Sequence, residues 1–427
     1  MKRHFLYSWL FIITASLLSA CGGGSSSSST NGSIRLVNAT QVAGLTLTVT
    51  DNATISNIGV GAASGYTSLG AASYSVIVSA PNGSLATSTT ASVTITADVQ
   101  YTVVAYARGG QIKLLTLTDS QTAPTGGFAS VTAINAGQDA GTLDVYMVSP
   151  GSSITNLTAT FSSVAASSTS LTQLVTAGTY DIIVTGYSNP SDLRLTIPSV
   201  ALTSGEIVSV VLTSTTGGAL VDGALVQQGG SVQLQPAVKA RVRVAAAFGD
   251  SSNTGVVTTV GGTSIGSITS PSVGAYALVP ANSTAYTISV AGTAVGTLPS
   301  ATFASGGDYT ILVYGALPTT PSVVVLTDSN LLPSTGAKIR LINMSVSTAG
   351  LSLSDNYTPL FSEIPYGTTS AYVGVVAGTS LLQLTSPSAS AFAAYNTSVS
   401  ILSGSVYSLF VLDTHSATIP PSLKKDR

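Results

Sequence analysis

Charge is what this sequence lacks most. Only 7% of its 427 residues are Asp, Glu, Lys or Arg, with a formal net charge of -2, where average soluble domains carry about 25% charged residues. There is no basic excess to neutralise a phosphate backbone, which excludes nucleic acid as a partner. Nor is there an acidic or Lys-rich run of the kind found in solvated tails. Cysteine occurs once, at Cys21, and histidine twice, at His4 and His415. Disulfide frameworks, zinc fingers and His-rich metal sites are thereby excluded, and no cofactor is expected. Tryptophan occurs once, at Trp9, and glutamate only at Glu206 and Glu363. What is abundant instead is Ser, Thr, Asn and Gly.

The N-terminus reads as an export signal, residues 1–20. Lys2 and Arg3 precede a mostly apolar stretch from Phe5 to Leu18. That is too short for a transmembrane helix of about 20 residues and suits a signal-peptide core. Leu18-Ser19-Ala20-Cys21 resembles a bacterial lipobox. The resemblance implies cleavage after Ala20 and acylation of Cys21, so that the lipid makes a membrane the first partner. Each buried acyl methylene is worth about 0.8 kcal/mol, and two or more chains anchor stably. Gly22 stands where inner-membrane lipoproteins commonly carry Asp, so the same resemblance implies the outer membrane of a bacterial envelope. Residues 21–32 then form the acylated Cys and a tether, GGGSSSSSTNG from Gly22. Such a linker spans about 18 Å on average and about 40 Å fully extended.

After the tether the hydrophobic period is 2. Leu45-Thr46-Leu47-Thr48-Val49-Thr50 and Ser92-Val93-Thr94-Ile95-Thr96 alternate apolar with hydroxyl residues, the pattern of half-buried strands whose wet face is Thr and Ser. Gly, Asn, Pro and Ser clusters punctuate these runs, and no amphipathic helix is evident. The fold class is all-β, as tandem immunoglobulin-like β-sandwich domains. An opening strand recurs as Ile34-Arg35-Leu36-Val37-Asn38-Ala39, Val131 to Ala136, Arg241 to Ala246 and Ile339 to Met344. Central segments beginning at Gly65-Tyr66, Leu174, Ala275-Tyr276 and Ala371-Tyr372 recur in the same order. So do closing strands such as Tyr101 to Tyr106 and Tyr309 to Tyr314. These set four repeats, residues 33–126, 127–236, 237–335 and 336–427, the third divergent because Ala246 replaces the Asn. We expect the four to form an extended rod.

The opening strand, the Gly-Tyr or Ala-Gly-Thr-Tyr turn (Gly65-Tyr66; Ala177 to Tyr180) and the closing Tyr-Thr strand resemble a bacterial family known as domain of unknown function 4397. The resemblance implies secreted or lipid-anchored tandem sandwiches and carries no activity.

Catalytic patterns are sparse. Gly262-Thr263-Ser264-Ile265-Gly266 matches G-x-S-x-G, with Asp308 and His415 following. A nucleophile elbow needs a strand before it and a helix after it, but Pro-broken β sequence follows here. The expected catalytic set is therefore none, with a serine hydrolase through Ser264 the most distant alternative. Glu206 and Glu363 read as turn residues, not as a carboxylate pair across a cleft. Asp119 and Asp328 close equivalent repeats, with Asp413 near the same place in the fourth. They are the candidates for calcium, but one carboxylate per junction is thin for an ion that takes six to eight oxygens. A turn cap or a pair with Arg35, Arg340 or Lys338 is the simpler reading, and no metal is expected. Tyr66, Tyr101, Tyr106, Tyr309 and Tyr314 recur at strand positions and read as packing, and the tail Lys424 to Arg427 as a solvated end. The resulting expectation is a lipid-anchored envelope protein with a structural, adhesive or interaction role. The alternative is a module that binds a glycan or an envelope protein through a sandwich face or edge.

Overall fold

The computed structural model describes residues 30–248, 253–317, 320–345, 348, 350–386, 396–412 and 421–427. Cys21, Asp413 and His415 lie outside the described residues. The chain is all-β, as its period-2 patterning predicts. Among the described residues the helical pieces are two single 3-10 turns, Pro81–Gly83 and Gln138–Ala140, and no helix is long and apolar enough to cross a membrane.

Eight sheets stack in pairs. In the first pair, one sheet orders its strands Thr67–Gly70, Asn31–Asn38, Gln100–Arg108 and Gln111–Thr118. Its companion orders Ala53–Ile58, Leu45–Val49, Ala72–Ser79 and Ala91–Ile95. The alternation explains the layering. Ile34 and Leu36 point between the sheets and pack on Leu47, Val76, Val78 and Val103 in one apolar core. Three further cores of the same kind follow, centred on Val131 and Val145, on Val242 and Ile311, and on Ile339 and Leu409. In each sandwich the opening strand runs parallel to the closing strand at the centre of one sheet. Arg35 faces Thr102, Thr132 faces Ser209, Arg243 faces Thr310, and Arg340 faces Ser408.

The expectation of an extended rod is not met. The sheets carrying the opening and closing strands are buried on both faces, because the sandwiches pack face to face in twos. Val37, Val104 and Tyr106 of the first meet Ile134, Val211, Ala224 and Val226 of the second. Ala245, Leu312 and Tyr314 of the third meet Ile342, Met344, Phe410 and Leu412 of the fourth. The same two strand positions serve all four sandwiches: Val37, Ile134, Ala245 and Ile342 on the opening strand, and Val104, Val211, Leu312 and Phe410 on the closing strand. Each contact is thus a pseudo-two-fold one, the same patch against itself. We call these contact-forming sheets inner, and their companions outer.

The Asn of the opening strand has a structural task. Asn38 donates to the carbonyls of Val42 and Ile58 and accepts from the amide and hydroxyl of Thr40. It thereby ties the following loop to the outer sheet. Asn135 bonds the carbonyls of Gly141 and Val164, and Asn343 accepts from Ser345 and donates to Ile364. In the third sandwich Ala246 fills this position as a buried core residue. Asn38→Ala would orphan buried backbone groups, so a loss of about 1–3 kcal/mol is expected in urea unfolding. A change below about 0.5 kcal/mol would show that the loop is held by other contacts.

Candidate functional site

The scarce charge of this protein is turned inward. None of the seven described arginines is classed as exposed: Arg35, Arg194, Arg243 and Arg340 are buried, and Arg108, Arg241 and Arg427 partly so. The centre of this arrangement lies between the paired inner sheets.

Arg35 projects from the face of the inner sheet opposite the core, because it alternates with Ile34 and Leu36. Its Nε donates to Thr102 Oγ1 at 2.6 Å, and its guanidinium lies 3.3 Å from Asp119. The Tyr66 ring covers it at 5.0 Å, and Tyr66 in turn donates to Asp119 at 2.5 Å. Thr102 also hydrogen-bonds Asp119. Burial, reinforced by the Asp119 hydrogen bond, pushes the Tyr66 phenol up to about 12. It is therefore a fixed donor at any physiological pH. The remaining guanidinium protons cross to the second sandwich, donating to the carbonyls of Gln227 and Gly230.

The third and fourth sandwiches repeat this set with the carboxylates exchanged. Arg243 Nε donates to Thr310, while its terminal nitrogen pairs with Asp426 of the fourth sandwich at 2.6 Å. Arg340 Nε donates to Ser408, while its terminal nitrogen pairs with Asp328 of the third at 2.5 Å. Tyr276 and Tyr372 cover these guanidiniums at 4.5 and 4.8 Å. Burial disfavours charge on both arginines, but the facing carboxylates outweigh it and hold them firmly protonated. The second sandwich has neither charge. Thr132 stands at the arginine position and Gln228 at the aspartate position, since its amide bonds Ile207 as Asp119 bonds Gln100 and Asp426 bonds Val406.

A second junction joins the two pairs. Asp139 sits in the short turn Gln138–Ala140 and is wholly buried. Its carboxylate accepts two hydrogen bonds from Arg108 of the first sandwich at 2.8 and 2.9 Å. It also accepts the Ser214 hydroxyl at 2.5 Å and the Leu332 amide, between the third and fourth sandwiches, at 2.7 Å. The Asp139 carbonyl accepts from Arg427. All four sandwiches or their connections thus meet at one residue. Close backbone approach accompanies it. Gly217 donates to Gly306 and accepts from Asn330, and a Cβ on Gly217 would fall 2.6 Å from the Gly306 carbonyl.

These placements revise several expectations. Asp119 and Asp328 are engaged by guanidinium, phenol and hydroxyl donors, and the partners Arg35 and Arg340 are those the sequence suggests. Among the described residues no group of three or more His, Cys, Asp or Glu converges to hold a metal. The tail is not a solvated end. Ser422–Lys425 is a strand paired to the closing strand of the fourth sandwich, and Asp426 is buried. Asp426 occupies the position equivalent to Asp119. Ser264 lies exposed in an outer-sheet strand, Thr263–Thr269, whereas Asp308 is buried on the inner sheet in a two-pronged pair with Arg241. The structure does not bring Ser264 and Asp308 together. Glu206 caps its turn by accepting from Thr203, and Glu363 sits exposed at a positive φ of 51°. Asp139 and Asp426 escaped sequence reading. The only signal for Asp426 was its spacing beyond the last closing strand, comparable to that of Asp119 and Asp328.

The outer sheets present the opposite chemistry. The outer strands of the first and third sandwiches carry no Asp, Glu, Lys or Arg. Their outward faces are rich in Ser and Thr, linked in places across strands, as in Ser73 with Thr94 at 2.8 Å and Thr259 with Thr287 at 2.6 Å.

Residues 32–146 match the model of a protein family described as a domain of unknown function, DUF4397. The match covers the first sandwich and runs into the second. No curated protein matches the chain. Among solved structures, a candidate cell adhesion protein from Bacteroides uniformis is similar at 13% identity, over 48% of this chain and 99% of that one, with a TM-score of 0.23. The Bacillus anthracis TIE protein is similar at 10% identity, over 87% of this chain and 66% of that one, with a TM-score of 0.15.

Two outcomes test the buried network. Arg340→Met or Asp328→Asn alone leaves a buried charge without its partner and should cost about 3–5 kcal/mol, whereas Arg340→Met with Asp328→Leu should cost clearly less than the sum. Additive losses in a double-mutant cycle would refute the exchange. For Asp139, burial raises the pKa, but the bonds from Arg108, Ser214 and Leu332 outweigh it and hold the carboxyl below its ordinary 3.8. A lowered folded value means that the unfolded chain binds the proton first. The stabilisation is therefore complete above about pH 4 and disappears as pH falls through the folded value. Urea unfolding between pH 5 and pH 2.5 should show a smaller acid loss in Asp139→Asn than in the parent. Parallel curves would show that Asp139 carries none of it.

Proposed function

We propose that this is a lipid-anchored bacterial envelope protein that acts by contact, in a structural or adhesive role, and not by catalysis. The observation that carries the reading is the division of chemistry across the sheets: ion pairs inside and, on the first and third sandwiches, outer strands without a charge and rich in hydroxyl side chains. A face of Ser and Thr without charges has no long-range repulsion to overcome, and it offers a donor and an acceptor at every second residue. The lipobox-like Leu18 to Cys21 and the Gly/Ser tether support anchorage to the outer membrane. Cys21→Ala should move the protein from the membrane fraction to the soluble fraction of the host. Unchanged membrane association would refute the anchor.

A second reading has its own support. The outer strands Ala53–Ile58 and Ala91–Ile95 are unpaired edges without a charged residue. Such edges are open to strand addition by an envelope protein, and the adjoining hydroxyl face suits a glycan. Thr48 and Thr94 are exposed on this outer face. Changing both to Lys should alter stability by less than about 1 kcal/mol. It should also reduce adhesion to host-derived surfaces, capture of envelope proteins, or glycan-array signal by at least several-fold. Retention of all three at the parent level would exclude this face as the contact surface.

A further inference from the structure

Between the first and second sandwiches the two inner sheets part at one end and leave a cleft of about 300 Å³, at the lower limit of volumes that hold small organic ligands. Val42 and Leu85 of the first sandwich and Leu234 and Pro236 of the second give it apolar walls. Asp222 is the one carboxylate lining it. It points there because it alternates with Val221 and Gly223, which face the core of the second sandwich, and so lies on the same side as Ala224 and Val226. One Asp222 oxygen accepts the Ala237 amide at 2.8 Å. The other meets no protein donor among the described residues. The second charged side chain of the cleft, Arg108, is already committed to both oxygens of Asp139 and to the Leu332 carbonyl.

We propose that this cleft binds a small organic ammonium ion, its N–H⁺ on Asp222 and its hydrocarbon part against Val42, Leu85, Leu234 and Pro236. Asp222 is a half-buried carboxylate that opens one oxygen onto a cleft with apolar walls. Such a group suits a cation that brings its own donors. The apolar walls and the single carboxylate favour an alkylammonium over a metal ion, which usually takes several acidic ligands. Burial pushes the Asp222 carboxyl up, against the smaller lowering effect of the Ala237 bond. The inference is independent of the adhesive reading, since the cleft lies between inner sheets and not on the outer faces.

The test uses the full chain in detergent, titrated with n-butylammonium chloride and, separately, with n-butanol. We expect saturable one-to-one binding of butylammonium by calorimetry, with butanol at least tenfold weaker. Binding should weaken as pH is lowered through the Asp222 titration. Asp222→Asn keeps an acceptor for Ala237 and should lose at least tenfold in affinity. Equal binding of butanol, or equal binding by Asp222→Asn, would overturn the proposal, as would no saturable binding of butylammonium. Should the variant fold poorly, the carboxyl ¹³C resonance of Asp222 in the parent protein decides. It should titrate at lower pH when butylammonium is present, and an unmoved titration refutes the site.

Discussion

The structure depends on a single electrostatic constraint. A guanidinium taken out of water between two sheets must meet a carboxylate, because an unpaired buried charge costs several kcal/mol. Arg35, Arg243 and Arg340 all stand at the same position of an opening strand, on the face that the sandwich itself does not bury. Each must meet its carboxylate within its own sandwich or across the contact. The third and fourth sandwiches resolve this by exchange, Arg243 to Asp426 and Arg340 to Asp328. The first keeps Asp119 and gives its spare protons to carbonyls of the second. The second sandwich lacks both members, so each interface stays neutral. Removing one charge without the other would not have done so.

That constraint explains the composition. Much of the little charge this protein has sits at the contacts between sandwiches, where Arg35, Arg243 and Arg340 each engage two sandwiches. The tyrosines at the central turns belong to the same device. Tyr66 and Tyr276 cover a guanidinium with the ring and bond an aspartate with the phenol. A single side chain there supplies an apolar cover and a polar tip. The outer sheets of the first and third sandwiches are left mostly to Ser and Thr. Their β-branched and hydroxyl side chains suit a pleated surface and hydrate without ion pairs.

Face-to-face pairing also decides what is available for partners. Inner sheets that a rod would leave open to solvent are closed by Val104, Val211, Leu312 and Phe410, and the two pairs are joined at Asp139. Contact with other molecules therefore falls to the outer faces and their edges, and to the openings where inner sheets separate.

The sequence by itself determined the strands, the sandwich class and the chemistry of each strand face. Period 2 is a local property, and Thr48 or Ser92 must turn outward once Leu47 and Val93 turn in. It also marked Arg35, Arg340, Asp119 and Asp328 as candidates to pair, because each charge stands nearly alone in an uncharged setting. Tertiary structure decided which aspartate each arginine meets, and that the supposedly free tail is a strand ending in a buried Asp426. It also decided that Asp139, in a turn with no pattern around it, joins four sandwiches. The reason is distance along the chain. Arg243 and Asp426 are 183 residues apart and Asp139 and Leu332 are 193 apart, and no local periodicity carries information about which face of one sandwich will be laid against another.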